Sequence, residues 1–102
     1  MRDYSAAKWV KYVKEVEKPD LIVGLFHSGT DYTYNDQDAF TKFNENATTL
    51  VAHNVDSFDI IICGHDHQGH NFRLTNKFGN DVLIIAPTSK MKDFCSIEVN
   101  FN

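Results

Sequence analysis

The first quarter of the chain shows a helical pattern of apolar residues followed by a short apolar run. Apolar residues recur at helical spacing from Ser5 to Glu17, with lysines between them, and Pro19 ends the pattern. The run Leu21–Phe26 is too short and too uniformly apolar for a surface helix, so it predicts a parallel strand buried on both faces. The predicted buried stripe of the helix consists of Ala6, Trp9, Val10, Val13 and Val16.

A second helix and a second strand are predicted after a polar loop that extends to Asp36. The segment from Gln37 to about Asn54 has helical spacing, and Phe58–Cys63 is again a short apolar run. Strand, helix and strand in this order predict one right-handed crossover with two parallel strands. The predicted buried stripe of the second helix consists of Ala39, Phe40, Phe43, Ala47, Leu50 and Val51.

The rest of the chain predicts three further strands, at Asn71–Thr75, Asp81–Ala86 and Phe94–Phe101. Turns at Asn76–Asn80 and Pro87–Asp93 join them. Phe94–Phe101 alternates cleanly between polar and apolar residues, which is typical of a half-exposed strand in an antiparallel or mixed sheet. The predicted fold class is therefore α/β, a β-α-β crossover followed by a three-stranded antiparallel or mixed segment.

Composition narrows the possible classes of protein. The 102 residues, of which 42% are hydrophobic and 13% aromatic, are enough for one domain with a core, or for a piece of one. A net charge of −4 argues against a nucleic-acid-binding surface. No apolar run is long enough for a membrane span, and the first residues lack the apolar core of a signal peptide, so localisation stays undefined.

Histidines follow both strands of the predicted crossover. The sequence Gly64-His65-Asp66-His67 comes directly after the second strand, and His27 comes directly after the first. The carboxyl ends of parallel strands meet at one edge of a sheet, so His27 can approach His65 and His67 there. Imidazole is the commonest metal ligand in proteins, and Gly64 would allow close approach of the backbone, so the pattern favours a metal site. The alternative is a polar turn that merely leaves the sheet.

Other polar residues predict less specific roles. His53 ends the second helix, where a histidine usually interacts with the helix dipole, and His70 is expected to lie in a loop. Asp36 and Asp38 are expected at the start of the second helix for the same electrostatic reason. Ser28 lacks the Gly-x-Ser-x-Gly context of a hydrolase nucleophile.

Taken together, three segments resemble the calcineurin-like metallophosphoesterases. These are Leu21–Gly29 with its His-Ser-Gly ending, Glu45-Asn46 in the second helical pattern, and Phe58–His67 with its Gly-His-x-His ending. The similarity is greatest to the branch that contains 5′-nucleotidases and 2′,3′-cyclic-nucleotide phosphodiesterases, and it extends over nearly the whole chain. It implies an αββα sandwich in which two β-sheets lie between outer helices and hold a two-metal centre.

The resemblance also implies roles for individual residues. His27 and His65 match ligands of the second metal, and His67 matches a ligand of the first. Asp66 is expected to support a ligand histidine as a hydrogen-bond acceptor. The implied cofactors are two divalent ions, zinc, manganese, iron or magnesium, which clamp a phosphate and activate water. The implied substrate is a nucleotide or related small phosphate ester, and proteins of this family are often periplasmic or secreted.

The resemblance is incomplete, because three motifs of the family are absent from the sequence: Asp-x-His, Gly-Asp with the bridging aspartate, and Gly-Asn-His followed by Asp or Glu. We therefore expect residues 1–102 to be the C-terminal part of a catalytic domain, with little or no activity alone. Uncovered sheet surface should then favour self-association. The alternative function is a non-catalytic metal-binding or assembly module that keeps the fold.

Overall fold

The computed structural model of the chain describes residues 5–41 and 44–101. Within this part of the chain, neither helix has the length or apolar character needed to cross a membrane. The elements in chain order are α1 (Ser5–Val16), β1 (Val23–Phe26), a 3₁₀ turn (Tyr34–Asp36), α2 (Thr48–Asn54), β2 (Ile60–Cys63), β3 (His70–Thr75) and β4 (Asp81–Ala86).

One mixed sheet with the strand order β1-β2-β4-β3 organises the domain. β1 lies parallel to β2, with Phe26 opposite Cys63, and β2 lies parallel to β4. β3 and β4 form an antiparallel pair in which His70 lies opposite Ala86. The α/β class, the parallel pair joined by a helix and the two strands after it are therefore confirmed. The described residues contain one sheet, so the αββα sandwich stays a prediction.

Both helices pack on the same face of this sheet and create the core there. Val10 of α1 and Ala52 of α2 contact a cluster that includes Ile61 of β2 and Ile84 of β4, both fully buried. The buried face consists of every second strand residue, as the pleat of a β-sheet requires. Hydrophobic burial on this face is the main stabilising contribution to the fold, although Ile60 and Ile85 on the opposite face are buried too.

The prediction that the first strand is buried on both faces is wrong. β1 is an edge strand, and on the face away from the helices Val23 is 47% exposed and Leu25 81% exposed. Gly24 and Phe26 point to the helix side, where Phe26 stacks edge-on against Phe58 with ring centroids 5.5 Å apart. The uniformly apolar run therefore reflects one buried face and one uncovered face.

The second helix is shorter than predicted, since α2 begins at Thr48 rather than near Gln37. Asp38 forms a local turn instead of a helix start: its Oδ1 accepts hydrogen bonds from the Phe40 amide at 2.9 Å and the Thr41 hydroxyl at 3.2 Å. Such side-chain bonds to nearby backbone compete with helix formation. Phe40 is consequently 86% exposed, and Phe43 lies outside the described residues.

The predicted last strand is also wrong, because Phe94–Phe101 pairs with no strand in the described part of the chain. The side chain of Asp93 accepts hydrogen bonds from the amide and hydroxyl of Thr88, which closes a turn after β4. Ile97 beyond this turn is half-buried and lines one cavity with Leu83 and Ile85. Only Ile97 among the apolar positions of this segment is partly buried, so the alternation corresponds neither to a hydrogen-bonded ladder nor to alternating burial.

Several aromatic residues that the pattern assigns to the core lie at the surface. Trp9 is 65% exposed on α1, although Val10 beside it is buried. Phe40, which the pattern assigns to the buried stripe of the second helix, is 86% exposed. The helices pack on only one face of a four-stranded sheet. That face is too small to bury all the apolar side chains that the sequence contains.

Asp56 connects the segment after α2 to the turn between β3 and β4, and we expect it to make stability depend on pH. Its Oδ1 accepts hydrogen bonds from Asn80 Nδ2 at 3.0 Å and Asn76 Nδ2 at 3.3 Å. The bond from Asn80, more than any other contact, lowers the pKa of Asp56 below its ordinary value. The folded state therefore binds fewer protons here than the unfolded state, so the stabilisation is present above the unfolded pKa of about 3.9 and is lost as pH falls.

Urea unfolding of the wild type and Asp56→Asn between about pH 6 and pH 2 tests this expectation, since that range spans the ordinary Asp pKa. The wild type should lose stability more steeply on acidification, and the difference between the two proteins should shrink toward the acid end. Parallel pH profiles would contradict the assignment.

Candidate metal centre

The carboxyl ends of β1 and β2 bring two histidines into contact. His27 follows the last residue of β1, and His65 lies two residues beyond the end of β2. His65 Nδ1 lies 3.2 Å from His27 Nε2, and the ring centroids are 4.9 Å apart. Parallel pairing of neighbouring strands is the reason for this contact, because it places both strand ends at the same edge of the sheet.

The backbone at this edge has an unusual conformation. His65 has φ of 86° and His67 has φ of 61°, both in the left-handed region that non-glycine residues seldom adopt. Such residues persist where the surroundings hold them, often at functional sites. Gly64 is not the residue that permits close approach, because a Cβ there would meet no atom within 4 Å. Close approach occurs instead at Gly29, where a Cβ would clash with the side chain of Asn46.

His67 does not join the His27–His65 pair. Its side chain is exposed, and no group of three or more His, Cys, Asp or Glu side chains in the described residues is arranged to hold a metal ion. The structure therefore brings together two of the three predicted ligands.

The loop after β1 is fixed to the segment before α2 by hydrogen bonds on both sides. Ser28 Oγ donates to the carbonyl of Glu45 at 3.0 Å and accepts from the amide of Ala47 at 2.8 Å. Gly29 N donates to the same Glu45 carbonyl, and Thr48 N donates to the carbonyl of Gly29. These bonds explain the His-Ser-Gly sequence in structural terms, since they hold the residues that follow His27 in place.

Asp66 contacts a different histidine from the predicted ligands. Its Oδ2 lies 3.0 Å from His70 Nε2 and accepts a hydrogen bond from the amide of Thr30 at 3.2 Å. His70 is the first residue of β3 rather than a loop residue, and Thr30 Oγ1 lies 3.4 Å from its Nε2. Asp66 and His70 thus connect the loop after β2 to the loop after β1.

Hydrogen bonding controls the protonation of Asp66. Partial burial by itself would raise the pKa of this carboxyl, but hydrogen bonds from the Gln68 amide, the His70 ring and the Thr30 amide outweigh it. The pKa of Asp66 therefore lies below its ordinary value. At neutral pH the side chain is a carboxylate whose partners are already supplied by the loops.

Glu45 and His70 belong to this site although sequence reasoning gave neither a role in it. Glu45 Oε2 lies 3.7 Å from His65 Nε2, and His70 lies four residues after Asp66. Glu45 belongs to Glu45-Asn46, one of the segments that carry the family resemblance. Nothing in the sequence indicated that its side chain would face His65. The four-residue spacing of Asp66 and His70 gave no such signal, because β4 lies between β2 and β3 in the sheet and the contact depends on the conformation of the loop.

The distance between the two ring nitrogens is compatible with one shared cation. Two histidine nitrogens at 2.0–2.1 Å from a tetrahedral zinc ion lie about 3.4 Å apart. His27 Nε2 and His65 Nδ1 are 3.2 Å apart, so a small opening of the pair would admit an ion. The predicted two-cation centre stays a prediction.

A cavity of about 540 Å³ is lined by His65 of the histidine pair. Its lining includes His65, Asp66 and His70 on the side of the strand ends, and Tyr34 and Asn46 on the side of the loops. This volume lies within the range of about 300–1,000 Å³ for small-molecule sites.

Comparisons with protein-family models, with curated proteins and with solved structures return no significant match to this chain.

Proposed function

We propose that the chain contributes His27 and His65 as ligands to the divalent-metal centre of a phosphoesterase that acts on nucleotides or related phosphate esters. The observation that carries the proposal is the 3.2 Å separation of His27 Nε2 and His65 Nδ1 at the ends of two parallel strands. The resemblance to calcineurin-like metallophosphoesterases supports the reaction class, and the cavity beside the pair supports a small substrate. A bound divalent cation would supply Lewis-acid polarisation and lower the pKa of a bound water.

His27 and His65 alone do not fill the coordination shell of such a centre, which needs further ligands. His67 is a further candidate, because it is exposed and adjoins the pair in sequence. The chain's own contribution would be to orient two imidazoles and to hold the strand-end loops through Ser28, Asp66 and His70. We expect the isolated chain to bind a cation without hydrolysing esters, so metal binding is the appropriate test.

Removal of either histidine should weaken metal binding. Titration of Zn²⁺ and of Mn²⁺ into the wild type, followed by calorimetry, should detect a site whose affinity falls at least about tenfold in His27→Ala and in His65→Ala, since one of two nitrogen ligands is lost. The matched control is His53→Ala, because His53 is exposed in the last turn of α2 and belongs to neither strand end. Affinities unchanged by both strand-end substitutions would contradict the proposal.

The alternative function, an assembly module, is favoured by the uncovered edge strand. β1 has a partner on one side, exposes Val23 and Leu25, and contains neither a charged residue nor a proline that would block pairing. We propose that a second copy of the chain associates along this edge.

Light scattering at tens of micromolar tests self-association. The wild type should be a dimer or larger, and Leu25→Lys should shift it toward monomer, because a charge at this edge opposes strand addition. Met91→Lys is the matched control, since Met91 is 96% exposed but lies in a turn. A monomeric wild type would contradict self-association without bearing on metal binding.

A further inference from the structure

The two ring nitrogens of His65 face different partners. Nδ1 lies 3.2 Å from His27 Nε2, whereas Nε2 lies 3.7 Å from Glu45 Oε2. The second distance exceeds that of a hydrogen bond but is short enough for attraction between an N–H group and a carboxylate. Glu45 therefore acts on the side of the ring that faces away from His27.

We infer that Glu45 is a positioning residue that keeps the hydrogen of neutral His65 on Nε2 and so presents the lone pair of Nδ1 to His27. A carboxylate accepts hydrogen bonds and cannot donate one, so it favours the N–H on the nitrogen that it faces. Carboxylates commonly fix the tautomer of metal-binding histidines in this way. This inference deepens the proposed function and rests on it for its effect on metal affinity, but the tautomer itself can be measured without metal.

The same arrangement defines the hydrogen bond between the two histidines. Because His65 Nδ1 carries the lone pair, His27 Nε2 is the donor of the 3.2 Å hydrogen bond. For His27 Nε2 and His65 Nδ1 to bind one cation, the His27 ring must change tautomer. It loses the hydrogen on its Nε2 and gains one on its own Nδ1. The ring stays neutral and no net proton is released. His27 is exposed, so water can carry this exchange.

The backbone of Glu45 is well placed for this role. Its carbonyl accepts hydrogen bonds from Gly29 N and Ser28 Oγ, both at 3.0 Å, so it is attached to the loop that follows His27. Its side chain is 77% exposed, and an exposed ion pair adds little to folding stability. The contribution of Glu45 is therefore to orientation, and its removal should leave the fold intact.

Nitrogen NMR of the histidine rings in the metal-free chain tests the inference directly. At about pH 8, above the ordinary histidine pKa, long-range ¹H–¹⁵N correlation spectra distinguish the two neutral tautomers. We expect His65 of the wild type to carry its hydrogen on Nε2, and the Nδ1–H form to become populated in Glu45→Ala. The matched control, Glu15→Ala, removes an exposed carboxylate from α1 and should match the wild type.

Titration with zinc alone gives the second readout. Glu45→Ala should bind zinc about two- to fivefold more weakly, as expected for loss of an exposed carboxylate that attracts the ring N–H without a hydrogen bond, with an unchanged thermal midpoint. Glu45→Gln, which removes the charge but keeps an acceptor oxygen, should be intermediate.

Three outcomes separate this inference from the proposed function. A wild-type His65 with its hydrogen on Nδ1, or identical tautomer populations in wild type and Glu45→Ala, would overturn the inference. Zinc binding that depends on His27 and His65 but not on Glu45 would overturn the inference and leave the proposed function standing. A tautomer shift in Glu45→Ala with no zinc binding by the wild type would support the inference and overturn the proposed function.

Discussion

Ile84→Ala should lower the free energy of unfolding by about 2–5 kcal/mol, the range expected for truncation of a fully buried aliphatic side chain. Ile84 has no exposed surface and lies in the face of the sheet that both helices cover. Marginal stabilities of about 5–15 kcal/mol are typical of native proteins, so this loss would be a large fraction of the total. Urea unfolding followed by circular dichroism measures it.

Leu25→Ala is the matched control for the core substitution. It removes an aliphatic side chain of the same size from the same sheet, but Leu25 is 81% exposed on the helix-free face. Its unfolding free energy should stay within about 0.5 kcal/mol of the wild type under monomeric conditions. Equal losses in the two variants would show that the two faces of the sheet are covered alike, contrary to the fold described above.

Gly29→Ala should destabilise the chain by about 1–3 kcal/mol, because it overpacks the loop that follows His27. A Cβ at Gly29 would overlap Asn46 Oδ1 and lie 3.0 Å from Asp66 Cβ. The backbone cannot easily withdraw, since the amide of Gly29 bonds to the Glu45 carbonyl and its carbonyl to the Thr48 amide. The contact between the two histidine rings should be disturbed as well, which ring NMR signals report.

Gly64→Ala is the matched control for Gly29→Ala. It shows whether the loss of stability comes from the lack of space at Gly29 or from any glycine substitution near the histidine pair. Gly64 also adjoins the histidine pair, but a Cβ there would meet no atom within 4 Å. Its stability should therefore change by no more than about 0.5 kcal/mol. A larger loss in Gly64→Ala than in Gly29→Ala would contradict the packing described for this loop.

The sequence predicted the sheet well because its strands are short apolar runs bounded by turn residues. The pairing of β1 with β2 followed from the crossover, and β4 matched its predicted bounds, Asp81–Ala86. The first half of the second helix was predicted wrongly because periodicity does not register the local turn that Asp38 forms. Phe94–Phe101 alternates like a strand, yet such a pattern cannot tell a ladder from an extended segment that packs near a sheet.

Only those contacts of the candidate site that follow from strand direction were predictable from the sequence. The contact of His27 with His65 follows from parallel strands that end at one edge. The contacts of Asp66 with His70 and of Glu45 with His65 depend on loop backbone conformations, including the positive φ of His65, that sequence spacing does not define. The sequence likewise suggested that Gly64 allows close approach of the backbone, whereas the position with no room for a Cβ is Gly29.

The most direct test of the account is a crystal structure of the chain soaked in Zn²⁺, with anomalous diffraction to locate the ion. We expect a zinc position about 2.0–2.1 Å from both His27 Nε2 and His65 Nδ1. Glu45 should then lie on the Nε2 side of His65, outside the coordination shell. Zinc bound elsewhere, with the two rings still in contact with each other, would contradict the central claim that these two histidines share a cation.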